Sequence, residues 1–396
     1  RNAAGSLRAG YRFGDGHVGL HWLRSENEVE FDGFTNASSG VQQVLGAEAS
    51  LSPLDQWDLK LSAGRSWDEL RVFSNGRFVD RFDTIRDTAS WQNDVYVGEP
   101  HLLSLGLDFS RDEVDGTTSY TLDSRRNWGL FGQYQGDFGA HRVIASLRYD
   151  DNEQFGGQTT GDAAWGYGFD NGMRLTASYG TAFRAPSFND LYYPFLDFGS
   201  GFGYSGNPDL DPEESRSVEI GLSGELPDAS WSLNLYQTDL NDLISIDASG
   251  MISRPINVDE ARIRGFEAVM GARVQQWDLA ATLTLLDPEN RSDGPNKGNL
   301  LVRRPGQTFQ LDLDRGFGRA SLGASLFAAG RSYDDLANRV RLDAYTLVDV
   351  RAEYAFTSSL RLQGRLENLF DEQYETAAYY NQPGRTLFVT LLYQPQ

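Results

Sequence analysis

Apolar and polar residues alternate along short segments from one end of the chain to the other. The segment 7–13 reads LRAGYRF, with the odd positions apolar, and the segment 360–366 reads LRLQGRL, with Leu or Gly at the even positions. Because successive side chains of a β-strand point to opposite faces, each such segment has one apolar and one polar face. Segments of this kind recur along the chain and predict roughly 19 strands, each about 8–14 residues long.

The connections between these strands predict how the strands are arranged. Short turns such as Gly14-Asp15-Gly16 alternate with long polar segments, which puts all tight turns at one end of a meander and all long loops at the other. A Greek-key sandwich would scatter its long connections. The alternation predicts an all-β fold, a transmembrane antiparallel up-and-down β-barrel whose apolar face meets lipid. The long loops are predicted near residues 25–42, 66–84, 110–126, 181–215, 238–260, 286–307, 329–343 and 370–385.

Composition narrows the choice of protein class. The mean hydropathy is -0.47, and no run of about 18 apolar residues exists, so membrane-spanning helices are excluded but a barrel is not. The net charge of -21 argues against nucleic acid as a partner and suits either solvated acidic loops or a surface that meets cations. The chain has no Cys, its four His do not cluster, and no G-x-S-x-G, P-loop or dinucleotide motif occurs. We therefore predict that it is not an enzyme.

Four motifs carry a resemblance to a known family. They read YGTAFRAPSFNDLY at 179–192, GNPDLDPE at 206–213, ARIRGFEA at 261–268, and ENLFDEQY at 367–374 with PGRT at 383–386. In this order they resemble the barrel of TonB-dependent uptake receptors, which lie in the bacterial outer membrane. We interpret the residues that carry this signature mostly as architecture: Arg184, Pro186, Asn207, Pro208, Pro212, Glu213, Gly265, Glu267, Asn368, Phe370, Gly384 and Arg385.

The resemblance implies a barrel of 22 strands that encloses an N-terminal plug. We expect residues 1–396 to form one partial barrel domain, because about 19 strands are counted and the resemblance begins near the fourth strand of the family. The plug, the segment that contacts TonB and about three strands would then precede Arg1. The partners implied are a small-molecule ligand, the TonB system through the missing plug, and outer-membrane lipid. We predict a monomer.

Within this family the chain resembles the cobalamin (vitamin B12) receptors most, which implies import of a corrinoid. Three alternatives stay open: a receptor for a ferric siderophore or another metal chelate, a passive porin, and an outer-membrane enzyme. From their positions in the long loops, five aromatic residues are predicted to bind the ligand: Tyr192, Tyr193, Phe195, Tyr204 and Tyr379.

Carboxylates gather in the loop that follows Trp22 and in the next long loop. Flexible carboxylate-rich loops suit Ca²⁺, which takes six to eight oxygen ligands. The resemblance also implies calcium, because cobalamin receptors use it to order extracellular loops. The alternative is a set of plain acidic loops. The predicted calcium ligands are Glu26, Glu28, Glu30, Asp32, Asp68, Asp80 and Asp83.

Overall fold

A computed structural model describes residues 2–31 and 35–394 of the chain. These residues form 19 strands of eight residues or more, which confirms the predicted all-β fold and the predicted strand count. The first ten strands are β1 (Asn2–Phe13), β2 (Gly16–Glu30), β3 (Ala37–Leu54), β4 (Trp57–Ser74), β5 (Arg77–Tyr96), β6 (His101–Gly116), β7 (Ser124–Phe138), β8 (His141–Asn152), β9 (Gly156–Gly168) and β10 (Arg174–Arg184).

The second part of the chain mixes long strands with short elements inside the loops. Helix α1 (Phe188–Tyr192) and three short strand pairs belong to loops, and the remaining strands are long. In the described part of the chain, no helix has the length and apolar character needed to cross a membrane. The strands are β11 (Leu196–Gly199), β12 (Phe202–Tyr204), β13 (Glu213–Leu226), β14 (Ala229–Asp247), β15 (Ile252–Val274), β16 (Trp277–Asn290), β17 (Gln307–Phe317), β18 (Ala320–Ala329), β19 (Ser332–Tyr333), β20 (Arg341–Leu342), β21 (Tyr345–Ala355), β22 (Leu360–Glu367), β23 (Glu375–Ala377), β24 (Tyr380–Asn381) and β25 (Thr386–Tyr393).

The first of two compact units comprises Arg1–Ala164, Gly180–Glu214 and Ile244–Asn257. In it, β1 to β8 pair antiparallel, each with the next along the chain. The register separates the two faces as the alternation predicts: Leu61 lies opposite Trp91, whereas Lys60 lies opposite Gln92. One face of these strands is therefore apolar over much of its height, and the other is polar.

The second unit comprises Trp165–Tyr179, Ser215–Leu243 and Val258–Gln396. Its strands β15, β16, β17, β18, β21, β22 and β25 also pair antiparallel in this order. A small buried core forms where loop residue Leu301 meets Leu243 of β14 and Val258 and Ala261 of β15. This small core packs a loop residue against residues of two strands. In a soluble β-sandwich, by contrast, the core lies between two packed sheets.

Two predicted long loops are wrong. Strands β4 and β5 run on to a two-residue turn at Asn75 and Gly76, whose φ angles of 48° and 75° are both positive, as a type I′ hairpin turn requires. Strands β14 and β15 similarly continue to residues 248–251 in place of a loop over 238–260. With 18 and 20 residues, β4 and β5 exceed the roughly 9–11 residues that cross a bilayer, so this hairpin projects beyond it. The predicted loop over 25–42 is also too long, because β2 extends to Glu30 and β3 begins at Ala37, and the predicted loop over 110–126 shortens to 117–123.

Candidate functional site

The loop over residues 185–212 is organised around helix α1. Ser187 caps the helix: its hydroxyl accepts a hydrogen bond from the Asp190 amide (3.1 Å), and the Asp190 carboxylate accepts one from the Ser187 amide (2.9 Å). This reciprocal capping box satisfies two backbone donors. A five-residue helix is marginal alone, so burial must also hold it. Phe188 and Leu191 supply that burial, being 6% and 1% exposed.

Arg125 of β7 fastens this helix to the strands. Its Nη1 donates a hydrogen bond to the carbonyl oxygen of Pro186 (3.0 Å), and its guanidinium lies 5.1 Å from the centroid of the Phe188 ring. A second ring, that of Phe155, lies 5.8 Å from the same guanidinium. A cation between two aromatic faces adds an attraction beyond packing. The loop is thus anchored at its start by one side chain from a distant strand.

The motif at 206–213 closes the loop. The Asn207 amide donates to the Asp190 carbonyl (2.7 Å), and its Nδ2 donates to the Pro255 carbonyl (3.0 Å). Gly206 lies so close to the helix that an added Cβ would be 2.8 Å from the carbonyl group of Leu191 and the amide nitrogen of Tyr193. Only Gly fits between backbone segments at that distance. Pro208 is exposed and Pro212 half-buried.

Arg184 and Glu213 join the two strands from which this loop rises. Nε and Nη2 of Arg184 each lie 2.6 Å from an oxygen of Glu213, a bidentate pair. Glu213 also accepts a hydrogen bond from the backbone amide of Ile244 (2.7 Å). The Glu213 carboxylate therefore links the Arg184 side chain of β10 to the backbone of β14.

Among the signature residues of the second unit, Gly265 and Glu267 lie within strand β15, whereas Asn368 begins the loop after β22. The ring of Tyr236 covers Gly265 so closely that an added Cβ would be 2.1 Å from it, and its hydroxyl donates to Glu267 (3.2 Å). Asn368, with φ 50°, bonds to Glu372 through both its Oδ1 (2.8 Å) and its Nδ2 (2.9 Å).

The end of the same loop depends on Asp371. Its Oδ1 accepts a hydrogen bond from the Arg385 amide (2.8 Å), and an added Cβ on Gly384 would lie 2.6 Å from that oxygen. Phe370 is exposed to solvent. Asn368, Gly384 and Asp371 thus shape this loop through contacts with its backbone.

Two of the five predicted ligand-binding residues, Tyr193 and Tyr204, lie together. The ring of Tyr193 stands edge-on to Tyr204, with centroids 5.6 Å apart, and to Tyr120, at 6.3 Å. We call Tyr120, Tyr193 and Tyr204 the tyrosine cluster. Tyr192 is adjacent in sequence, and its hydroxyl accepts a hydrogen bond from Gln154 Nε2 (2.6 Å). Burial raises the pKa of all three cluster tyrosines further above physiological pH, so their hydroxyls stay neutral donors even in moderately alkaline solution.

The other two predicted residues are placed differently. Phe195 is 53% exposed and its ring packs against the backbone of Gly203. Tyr379 belongs to the second unit, where it turns the β23–β24 hairpin with φ 71° and is 87% exposed. The prediction from sequence missed Tyr120, which donates to Asn189 Oδ1 of helix α1 (2.7 Å). Its position inside a predicted long loop, 110–126, was the signal that would have found it.

The predicted calcium ligands do not form one ligand set. Asp68 lies opposite Thr84 and Asp83 opposite Glu69, so Asp68 and Asp83 point to opposite faces of the β4–β5 hairpin. Several are engaged already: Glu26 pairs with Arg24 (2.8 Å), Asp83 with Arg81 (3.4 Å), Asp68 with Gln42 (3.3 Å), and Asp80 with the Thr117 hydroxyl. Glu28 and Glu30 lie on β2, and Asp32 lies outside the described residues. Within residues 2–31 and 35–394, no three His, Cys, Asp or Glu side chains are arranged to hold a metal. Calcium binding stays a prediction that these residues do not support.

Long antiparallel strands in a meander, joined by extended loops, are typical of outer-membrane β-barrel proteins, and this chain has that arrangement. The chain belongs to the family described as TonB dependent receptor-like, beta-barrel, whose model matches residues 2–369. This confirms the predicted family, the β-barrel fold and the bacterial outer-membrane location. The family is one of receptors and not of enzymes.

Individual proteins resemble the chain to different degrees. A protein of Photobacterium profundum named vitamin B12 transporter BtuB is 33% identical over an alignment of 394 positions that covers 96% of this chain. The chain spans only 63% of that relative's length. Two solved structures share the fold over 99% of this chain: the siderophore receptor PirA from Acinetobacter baumannii (TM-score 0.81, 16% identity, 70% of that chain) and the copper transporter OprC (0.83, 17%, 74%).

Proposed function

We propose that this chain is the barrel part of a receptor that captures cobalamin at the cell surface and imports it with energy supplied through TonB. The observation that carries the proposal is the 33% identity to a vitamin B12 transporter across 96% of the chain. The siderophore and copper proteins are only 16% and 17% identical, so they share a fold without indicating a cargo.

The tyrosine cluster supports a ligand of this chemistry. A corrinoid has a broad apolar ring face and a rim of amide groups. Tyr193 and Tyr204 offer aromatic faces, and their neutral hydroxyls donate hydrogen bonds to amide oxygens. Arg125, the capped helix and the Asn207 contacts fix these rings before the ligand arrives, which lowers the entropy lost on binding.

Equilibrium binding of cyanocobalamin to outer membranes that carry the full-length parent protein tests the proposal. We expect saturable binding, weakened about tenfold in Tyr204→Ala by loss of one buried aromatic contact. Tyr11→Ala is the matched control, because Tyr11 is an exposed tyrosine on β1, outside the loops.

Other results of these measurements would change the proposed cargo or the proposed class of transporter. Absence of cyanocobalamin binding, together with saturable binding of a ferric siderophore, would make the cargo a metal chelate. Uptake that never saturates and needs no energy would indicate a passive porin. A calcium chelator included in the same titration tests the calcium prediction, and an unchanged affinity would reject it.

A further inference from the structure

An apolar groove runs across the outward face of β1 to β7, away from the loop site. Its volume is about 900 Å³, within the range of small-molecule sites. The floor consists of Ala47, Ala63 and Ala89, which are register partners on three adjacent strands. Small side chains on neighbouring strands leave a depression that larger residues border.

Large side chains form the two walls of the groove. On one side Leu20 lies opposite both Ala9 and Ala47. On the other, Phe109 lies opposite Ala89 and packs against Trp128, with ring centroids 4.6 Å apart and the rings tilted by 48°. The small side chains of the floor thus lie between larger side chains on both sides.

The groove ends at a row of arginines. Two residues farther along the same strands, and hence on the same face, stand Arg65, Arg111 and Arg126. This is the end at which β4 and β5 continue beyond the bilayer. Each arginine pairs with one carboxylate: Arg65 with Asp87 (2.5 Å), Arg111 with Glu113 (3.0 Å) and Arg126 with Glu153 (2.8 Å).

These pairs leave the arginines available to a further anion. The three arginine side chains are roughly half exposed, and exposed ion pairs of this kind contribute little to stability. In the pairs of Arg65 and Arg126 the carboxylate binds Nε and Nη2, so Nη1 remains to donate to another group. The apolar groove suits a hydrocarbon tail, and the guanidinium donors at its end suit an anionic head group. Together they match a ligand that has both parts.

We propose that this groove holds one acyl chain of a phosphate-bearing membrane lipid, with the phosphate at Arg65, Arg111 and Arg126. The occupant is a lipid because the protein lies in the outer membrane, where an outward apolar surface meets acyl chains. Arg is suited to the head group, since its planar donors match phosphate oxygens. The site is independent of the cargo and does not rest on the cobalamin proposal.

Native mass spectrometry of the full-length protein, purified in mild detergent, tests the site. We expect one retained phosphate-bearing lipid per protein. Ala63→Leu raises the floor and should lower retention about tenfold or more, because the added side chain occupies the place where the acyl chain would lie against the three alanines. Ala145→Leu adds the same volume to the same outward face on β8, outside the groove, and should retain lipid like the wild type.

A second variant tests the head group. Arg111→Gln should release phosphate-bearing lipid while retaining a neutral alkyl glycoside, and Arg142→Gln, which removes an arginine near the β7–β8 turn, should release neither. If Ala63→Leu retains as much lipid as the wild type, the groove is not the binding site of the acyl chain. A copurifying protein lost from Ala63→Leu in place of lipid would overturn the choice of occupant. Unchanged retention in Arg111→Gln would overturn the assignment of the phosphate.

Discussion

Replacing Gly206 by Ala tests whether the loop over 185–212 is a preformed structure. The added methyl group would lie 2.8 Å from the carbonyl carbon and oxygen of Leu191 and from the amide nitrogen of Tyr193. All three are backbone atoms, two of them in helix α1 and one next to it, so no side chain can rotate away. The helix must move from its place, where Leu191 is 1% exposed and the Gly206 amide donates to the Tyr193 carbonyl (2.8 Å).

The size of the effect follows from this geometry. Overpacking of this kind costs about 1–3 kcal/mol. Because each 1.4 kcal/mol changes an equilibrium about tenfold, the population of the opened loop should rise roughly five- to 150-fold. The three nearest atoms all belong to helix α1 and the residue that follows it, so we expect the cost to fall on the loop and not on the barrel.

Limited proteolysis of the full-length protein measures that population. When opening is fast relative to cleavage, the cleavage rate follows the fraction of open loop. We expect cleavage within 185–212 to accelerate by the factor above, with an unchanged thermal midpoint of the barrel. Gly364→Ala is the control, because an added Cβ there meets no atom within 4 Å. Equal cleavage rates in Gly206→Ala and Gly364→Ala would refute the reasoning that the loop is preformed.

Three further predictions concern other contacts. Glu213→Gln should raise cleavage of the same loop about tenfold, since the charge-assisted bidentate pair with Arg184 becomes a neutral contact; an unchanged rate would mean that the strands hold the loop without it. The pKa of Tyr193 is raised from 10.0 by burial, so its contribution to loop stability is present below pH 10 and is lost as the pH rises through its folded-state pKa; Tyr193→Phe should make this alkaline step in cleavage smaller, because the pKa values of Tyr120 and Tyr204 are raised too. Gly76→Ala should lower the stability of the β4–β5 hairpin by about 1 kcal/mol, because φ there is 75°, and hydrogen exchange near the turn would report it.

The alternation in sequence predicts strands well only where lipid imposes it. Leu61 and Trp91 face one way and Lys60 and Gln92 the other, because one side meets hydrocarbon. Beyond the bilayer both faces meet water, and the segment 66–84 carries charges on both, so it resembles a loop in sequence. Asn75-Gly76 is nevertheless the strongest short hairpin signal, and it would have identified the two strands.

The candidate site was predictable only in part, for a different reason. Tyr192, Tyr193 and Tyr204 share one loop, so their neighbourhood follows from the chain itself. Tyr120 reaches them from another loop, through strand pairings that no local pattern specifies. The same limit explains the calcium ligands: an acidic segment is visible in sequence, but whether Asp68 and Asp83 share a face depends on the register of β4 and β5.

In the loop over 185–212, the residues that hold the loop in place differ from the aromatic residues that could contact a ligand. Arg184, Glu213 and Asn207 use their polar groups on backbone and on one another, which leaves them little capacity for a ligand. A loop that leaves a strand in this geometry needs contacts of this kind, whatever ligand it meets. The aromatic rings of the same loop, such as that of Tyr204, do not hold the loop to the strands in this way. We therefore expect a change of ligand to come through the exposed and half-buried loop aromatics and not through Arg184, Glu213 and Asn207.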